Sequence, residues 1–247
     1  VLTAAIIQAR MGSTRLPGKV MMEIAGRPML AHVIERARAA EGVGAVCVAT
    51  TELARDDVLA DLAKGLGAKV FRGDEEDVLA RYGGAARALG ADLVIRITSD
   101  CPLLDPALLS EMLARRAAIE ATTGPVDYYS NTLVRTYPRG LDAEILPREV
   151  LARAAAEATD ARAREHVTWH VYRHPEEYRC ENHAQPDGRD DSAHRFTVDT
   201  AEDLELVRRI FASLGGDRPF GFREAVALVE KHPDWSTLNA AVRQKEV

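Results

Sequence analysis

The sequence predicts an α/β fold, a mostly parallel sheet flanked by helices on both faces. Three observations lead there. Apolar, partly β-branched runs alternate with segments of helical spacing through the first half of the chain, the pattern of strand, helix, strand units. The chain has 247 residues, 47% of them hydrophobic, enough for one large core and one main domain. No internal repeat, low-complexity tract or linker divides it.

In chain order, LTAAII (Leu2 to Ile7) reads as the first strand, AVCVAT (Ala45 to Thr50) as the second, AKVFR (Ala68 to Arg72) as the third and DLVIRIT (Asp92 to Thr98) as the fourth. Helices fall between them: PMLAHVIERARAA from Pro28, DDVLADLAKGLG from Asp56 and DVLARYGGAARALG from Asp77. Such connections place functional loops beyond the carboxyl ends of the strands. The second half is less regular. It reads as a helix from about Pro106 to Ala121, strand-like VDYYSN, turn-rich YPRGLD, a strand AEIL and two helices through Arg173. Polar Gln185 to His194 follows as an exposed loop, then strand-like RFTVDT, a helix EDLELVRRIFASL and a last helix from Phe222 to His232. A small inserted subdomain around residues 125–185 is expected.

Composition excludes several function classes. With net charge −6 and no Lys/Arg block long enough to track a nucleic-acid backbone, any polyanionic partner is small and held locally. No apolar run approaches the roughly 18 residues of a membrane span, and the first residues lack the charged-then-apolar pattern of a signal peptide. The expectation is a cytoplasmic protein with neither a nucleic-acid nor a membrane partner. Cys47, Cys101 and Cys180 are far apart and form no CxxC pair, so reduced thiols are expected.

The loop after the first strand, QARMGSTRLPGK, gathers Arg10, Arg15 and Lys19 around Gly12 and Ser13, with a turn at Pro17-Gly18. Glycine admits an anion close to backbone N–H groups, and arginine offers forked donors matched to phosphate oxygens. Those cations suit a triphosphate. The spacing is not that of a P-loop, because five residues separate the glycines and Val20 follows the lysine. Two aspartates, Asp100 in RITSDCP and Asp199 in RFTVDT, each follow an apolar run and can point to the edge of the sheet where this loop lies. Carboxylate and phosphate oxygens together suit Mg²⁺. On their own, Asp100 also reads as a turn residue before Cys101-Pro102, and Asp199 as part of the helix start at TAED.

Several motifs in order carry a resemblance. ARMGSTRLPGK, VFRGDEEDVLARY, RITSDCPLLDP, DYYSNTLVRTYPRGLDAE, REHVT and RFTVDTAEDL together resemble the cytidylyltransferases that make CMP-activated acidic sugars. The similarity is strongest to the spore-coat-polysaccharide-biosynthesis group, with CMP-Kdo and CMP-sialic acid synthetases more distant, and it covers the chain to about residue 214. It implies a Rossmann-like nucleotidyltransferase fold and a loop that closes over the CTP phosphates, with Arg10, Ser13, Arg15 and Lys19 on the triphosphate and Asp100 and Asp199 on Mg²⁺. It also implies base recognition near Arg72 and Gly73, with backbone groups of Ala9 and Met11 joining, nucleotide binding by Gly12 of the loop, and commonly a homodimer.

The residues themselves add to this. Thr50 and Thr51 end the second strand, where hydroxyls can meet a base or ribose. Asp77 is grouped with the nucleotide residues, the alternative being an i,i+4 ion pair with Arg81. Tyr137, Arg139 and Asp142 make a candidate acceptor pocket of aromatic wall, cation for an acid group and carboxylate for hydroxyls, to which Arg164, Glu165 and His166 add polar groups. His166 and His170 lie four apart on an expected helix, but the glutamate of a HExxH zinc site is missing, so a pocket-lining polar face is the preferred reading.

In the mechanism so implied, an acceptor oxygen attacks the α-phosphorus of CTP and pyrophosphate leaves. Arg10 and Lys19 are assigned catalytic roles with Asp100 and Asp199. No general base stands out. The acceptor expected is a nonulosonic-acid-like sugar for surface polysaccharide or glycan synthesis, with a small phosphate- or phosphonate-bearing acceptor second. The rival enzyme is a glycosyltransferase using a nucleotide sugar, disfavoured because Ser99-Asp100-Cys101 offers a single carboxylate. A non-catalytic paralogue is the remaining alternative.

Overall fold

The computed structural model describes residues 1–215 and 219–244. The strands are β1 (Thr3–Gln8), β2 (Glu23–Ile24), β3 (Arg27–Pro28), β4 (Ala45–Thr51), β5 (Lys69–Gly73), β6 (Leu93–Thr98), β7 (Tyr128–Ser130), β8 (Glu144–Pro147) and β9 (Cys180–Asn182). The helices are α1 (Met29–Ala39), α2 (Asp57–Gly65), α3 (Val78–Leu89), α4 (Pro106–Thr123), α5 (Arg148–Glu157), α6 (Ala161–Glu165), α7 (Trp169–Arg173), α8 (Ala201–Leu214), α9 (Phe222–Lys231) and α10 (Pro233–Leu238).

Seven strands form one sheet in the order β5-β4-β1-β6-β8-β7-β9, and β2 and β3 form a separate hairpin. The four strands read from the apolar runs pair parallel with one another, and β7 and β9 are a further parallel pair. Alternate side chains of β1 enter two cores: Ala5 and Ile7 face α1, α2, α4, α8 and α9, while Ala4 and Ile6 face α3, α5, α6 and α7. All four are fully buried. Burial of each isoleucine is worth about 1.5–3 kcal/mol, so β1 anchors both layers.

Strand order reverses at β1, with β4 on one side and β6 on the other. Gln8 is level with Ala49 and with Thr98, so the loops leaving β1, β4 and β6 open on one edge. This is the topological switch point at which open α/β sheets bind ligands. Strand β8 runs antiparallel to β6 and pairs Glu144 with Arg96, which brings residues 131–143 to the same edge. Helix starts are fixed locally. Asp105 accepts from the N–H groups of Ala107 and Leu108 ahead of α4, with Pro106 at its first position, and Thr200 and Asp203 form a capping box on α8.

Several expectations need correction. RFTVDT is not a strand: Arg195 makes an isolated bridge to Arg139, and the N–H groups of Phe196 and Thr197 both bond to Arg139 O. The helix expected through His166 and His170 is broken, because α6 ends at Glu165 and Val167 takes a φ of 50°. The β2–β3 hairpin, β9 and α10 were not anticipated. Residues 125–185 contribute β7, β8 and β9 to the main sheet. Cys47, Cys101 and Cys180 are free thiols. Among the described residues no helix is long and apolar enough to cross a membrane.

Gly140 permits the crossing between the two loops. Its φ is 99°, and a Cβ there would stand 2.4 Å from Thr197 N and 2.6 Å from Phe196 C. Gly188 also has positive φ, at 74°, but faces open space. Gly140→Ala is expected to lower stability by about 2–4 kcal/mol and Gly188→Ala by only about 1 kcal/mol, measured by urea denaturation; equal losses would show that the close approach imposes no constraint.

Candidate active site

A cleft of about 990 Å³ opens at the carboxyl ends of β1 and β6. One wall is the loop after β1 and the start of α3. The other comprises segments near residues 132–144 and 165–172, with Asp100 and Asp199 between.

The loop after β1 folds around one carbonyl: the N–H groups of Ser13 and Gly18 both donate to Met11 O, at 2.9 and 3.1 Å. Gly18, with φ 70°, turns the chain into a short 3-10 turn at Lys19–Met21 that aims the lysine inward. Lys19 Nζ donates to Asp100 Oδ2 at 2.8 Å, Asp199 Oδ1 at 2.9 Å and Val198 O at 2.8 Å. An ammonium has three protons, and each finds an oxygen. Burial would lower the Lys19 pKa, but the charges of Asp100 and Asp199 outweigh it and raise it. Burial would likewise raise the Asp100 carboxyl, whereas Lys19 holds it below the ordinary aspartate range.

Asp199 is held on its other side too. Its Oδ2 meets Arg15 Nη2 at 2.9 Å and Arg195 Nη2 at 2.7 Å. Arg195 also donates from Nε to Asp203 Oδ1 at 2.9 Å, and Asp203 Oδ2 accepts from the N–H groups of Asp199 and Thr200. Asn239 bridges Arg195 O and Asp203, and Gln244 accepts from Arg195 Nη1. Asp203 and Arg195 thus fix both the backbone and the side chain of Asp199.

Of the residues assigned to the nucleotide, Ala9, Arg10, Gly12, Ser13, Arg15 and Lys19 line the cleft. Met11, Thr50, Thr51, Arg72, Gly73 and Asp77 do not; Met11, Thr51 and Arg72 brace it instead. Met11 N donates to Asp56 Oδ1 at 2.7 Å, and Thr51 donates its hydroxyl to Asp56 Oδ2. Thr50 and Thr51 are wholly buried, because they face opposite sides of the sheet and helices cover both. Arg72 reaches back to Thr51 O at 2.7 Å, Leu53 O at 2.9 Å and Asp57, tying β5 to the loop after β4. Asp77 caps α3 through Ala80 N and pairs with Arg164, so neither an Asp77–Arg81 pair nor a pocket position for Arg164 is found.

On the acceptor side Arg139, Asp142, Glu165 and His166 line the cleft. Tyr137 does not: it is 1% exposed and packs on His183 and Phe222 in the core. Asp142 takes a two-pronged bond from Arg135, at 2.6 and 2.9 Å. His170 turns away to Glu157 at 3.2 Å. Arg139 is half-buried and makes no ion pair among the described residues; burial and then neighbouring Arg135 pull its pKa down. Sequence reasoning missed Arg96, Arg135, Glu144, Thr168 and Arg195. Glu144 accepts from Arg96, from Tyr128 Oη at 2.9 Å and from Thr168 Oγ1 at 3.1 Å. The signal available was Arg96 itself, a charge inside the apolar run LVIRIT.

Lys19→Met would leave the carboxylates facing each other without their shared cation. A stability loss of about 2–4 kcal/mol is expected at pH 7. Because Lys19 depresses the folded-state pKa of Asp100, the wild-type advantage is present above the ordinary aspartate value of 3.8 and lost as pH falls through the folded value. Urea midpoints of the two proteins should therefore converge on acidification; a gap independent of pH would show that the lysine acts by packing alone.

A family model described as "Cytidylyltransferase" matches residues 4–243. The spore coat polysaccharide biosynthesis protein SpsF of Bacillus subtilis is 32% identical over 237 residues, 94% of this chain and 95% of that one. A 3-deoxy-manno-octulosonate cytidylyltransferase of Anaeromyxobacter is 32% identical over 85% of this chain and 97% of its own. The solved structure of a cytidylyltransferase from Leptospira borgpetersenii superposes with a TM-score of 0.89 at 31% identity, covering 99% of both chains. Family match, matched relatives and shared fold agree: the chain belongs to the cytidylyltransferase family and is a CTP-dependent nucleotidyltransferase.

Proposed function

We propose that the protein transfers CMP from CTP to the hydroxyl of an acidic sugar of nonulosonic type, with Mg²⁺ as cofactor and release of pyrophosphate. One observation carries the reading: a lysine and two carboxylates meet at the switch point of the sheet, with arginines of the β1 loop on one side and, across the cleft, Arg139, which makes no ion pair among the described residues. The names of the matched relatives, one acting in spore coat polysaccharide synthesis and one a 3-deoxy-manno-octulosonate cytidylyltransferase, support the acceptor class.

Asp100 and Asp199 fit Mg²⁺. Both present hard oxygens to one shared cation, and Mg²⁺ is usually held by one or two carboxylates together with phosphate oxygens. When bound there it would supply charge neutralisation at the α-phosphate. The chain's own groups do the rest. Arg10, Ser13 and Arg15 grip the triphosphate, and Lys19 orients both carboxylates and balances their charge. In the reaction the acceptor oxygen forms its bond to the α-phosphorus, the bond to the bridging oxygen of pyrophosphate breaks, and the hydroxyl proton passes to solvent. Positioning and charge supply most of the rate in such transfers, consistent with carboxylates across the cleft that are already paired with arginine. Arg139 offers its guanidinium to the acid group of the acceptor.

The test is pyrophosphate release from each of the four ribonucleoside triphosphates with Mg²⁺ and a panel of sugar acids, phosphates and phosphonates. CTP-specific release with a sugar acid is expected; release with a phosphonate alone would reassign the acceptor, and no release with any would sink the proposal. Asp100→Asn/Asp199→Asn should cut kcat by about 10²-fold or more. Arg139→Ala should raise KM for the acceptor by about tenfold to a hundredfold with KM for CTP unchanged; an equal rise in both would place Arg139 elsewhere.

A further inference from the structure

Beside the cleft, an anion meets two residues that line it, Arg10 and Gly12. Glu75, in the turn after β5, directs its carboxylate to Arg55 Nη2 and, at 3.5 Å, to Arg10 Nη1. Both guanidinia meet the same atom, Glu75 Oε1. This oxygen also lies against Gly12, where a Cβ would stand 3.1 Å from Glu75 Oε1 and 3.2 Å from Arg55 Nη2. A single carboxylate oxygen thus rests on the bare backbone of the arginine loop, between cations from two different loops. That is the environment a phosphate oxygen takes.

The turn beneath it is fixed. Arg81, 2% exposed, donates from Nη1 to Asp74 O at 2.6 Å and Glu75 O at 3.3 Å, and Asp74 accepts from the N–H groups of Glu76 and Asp77 at 2.8 Å. The Glu75 side chain is held differently, by arginines 40% and 51% exposed. Exposed ion pairs of this kind contribute little, so a ligand with several charges can replace the carboxylate where one with a single charge competes poorly. Arg55 has no role in the fold comparable to Arg72 or Arg81: the carboxylate is its one ion-pair partner among the described residues.

We propose that Glu75 is an internal competitor for the triphosphate, its carboxylate occupying the two guanidinia that a polyphosphate takes, and that Arg55 is a further phosphate-binding residue. This rests on the CTP reading of the site. It gives the chain a way to prefer triphosphate over nucleotides of lower charge.

Isothermal titration with each of the four ribonucleoside triphosphates and Mg²⁺, CMP and inorganic tripolyphosphate on wild type, Glu75→Gln, Arg55→Ala and the double variant tests it, with circular dichroism confirming that each folds. Glu75→Gln is expected to tighten CTP and tripolyphosphate about threefold to tenfold and to narrow the preference for CTP over CMP. Arg55→Ala should weaken both polyphosphates about tenfold, and the Glu75→Gln gain should vanish in its background. Weaker or unchanged binding in Glu75→Gln would overturn the proposal, since a carboxylate that merely positions Arg10 and Arg55 gives that result. Tripolyphosphate tightened by Glu75→Gln with no preference among nucleoside triphosphates would uphold this inference while overturning the cytidine reading; no polyphosphate bound by wild type would overturn both.

Discussion

A buried ammonium with an oxygen for each proton holds the working end of this molecule together. Lys19 joins the loop after β1 to Asp100, 81 residues away, and to Asp199, 180 residues away. Taking these three charges out of water is costly, and the cost is met only because every donor of the lysine is matched and Asp199 has two arginines besides. The geometry of the β1 loop follows from that requirement. Gly18 must adopt positive φ so that Lys19 points inward while Arg10 and Arg15 stay at the cleft.

Around this node the molecule divides its labour. Loops after β1, β4 and β5 are locked into one platform by Asp56 and Arg72, whose side chains end on backbone groups and one another's loops rather than in the cleft. The opposite wall is built from paired charges, Arg135 with Asp142 and Arg96 with Glu144. Paired charges keep their shape and contribute little net field. Among the described residues, Arg139 on this wall makes no ion pair.

Legibility in the sequence followed physical range. The four parallel strands are continuous apolar runs bounded by turns, so β1, β4, β5 and β6 were readable, as was the edge at which their loops gather. Strands β7 and β9 have three residues each and the hairpin strands two, too short for any period to register. RFTVDT has the composition of a strand, yet its N–H groups bond to Arg139 and Asp100 in loops. In the site, Arg10, Arg15 and Lys19 were visible because a local cluster of cations and glycines has few other uses. Thr50, Thr51 and Tyr137 were misplaced because sequence gives the type of a side chain but not the direction it faces. The helical spacing of His166 and His170 was deceptive, since Val167, a β-branched residue, gives no warning of a left-handed backbone. Arg96 and Glu144 meet across antiparallel strands 48 residues apart, a pairing that linear spacing does not reveal.

The clamp on Asp199 has a consequence for the order of events in folding. Contacts among β1, β4 and β6 need only the first hundred or so residues of the chain, Thr3 pairing with Leu93 and Gln8 with Thr98. The Arg195, Asp203 and Asn239 cluster draws on segments far along the chain, and Lys19, which Asp100 can already pair, gains Asp199 only when they arrive. Long-range closure of this kind is slow and comes late. The parallel strands β1, β4 and β6 can therefore precede the centre they carry, and a chain halted before that last step holds Lys19 with one of its two carboxylates.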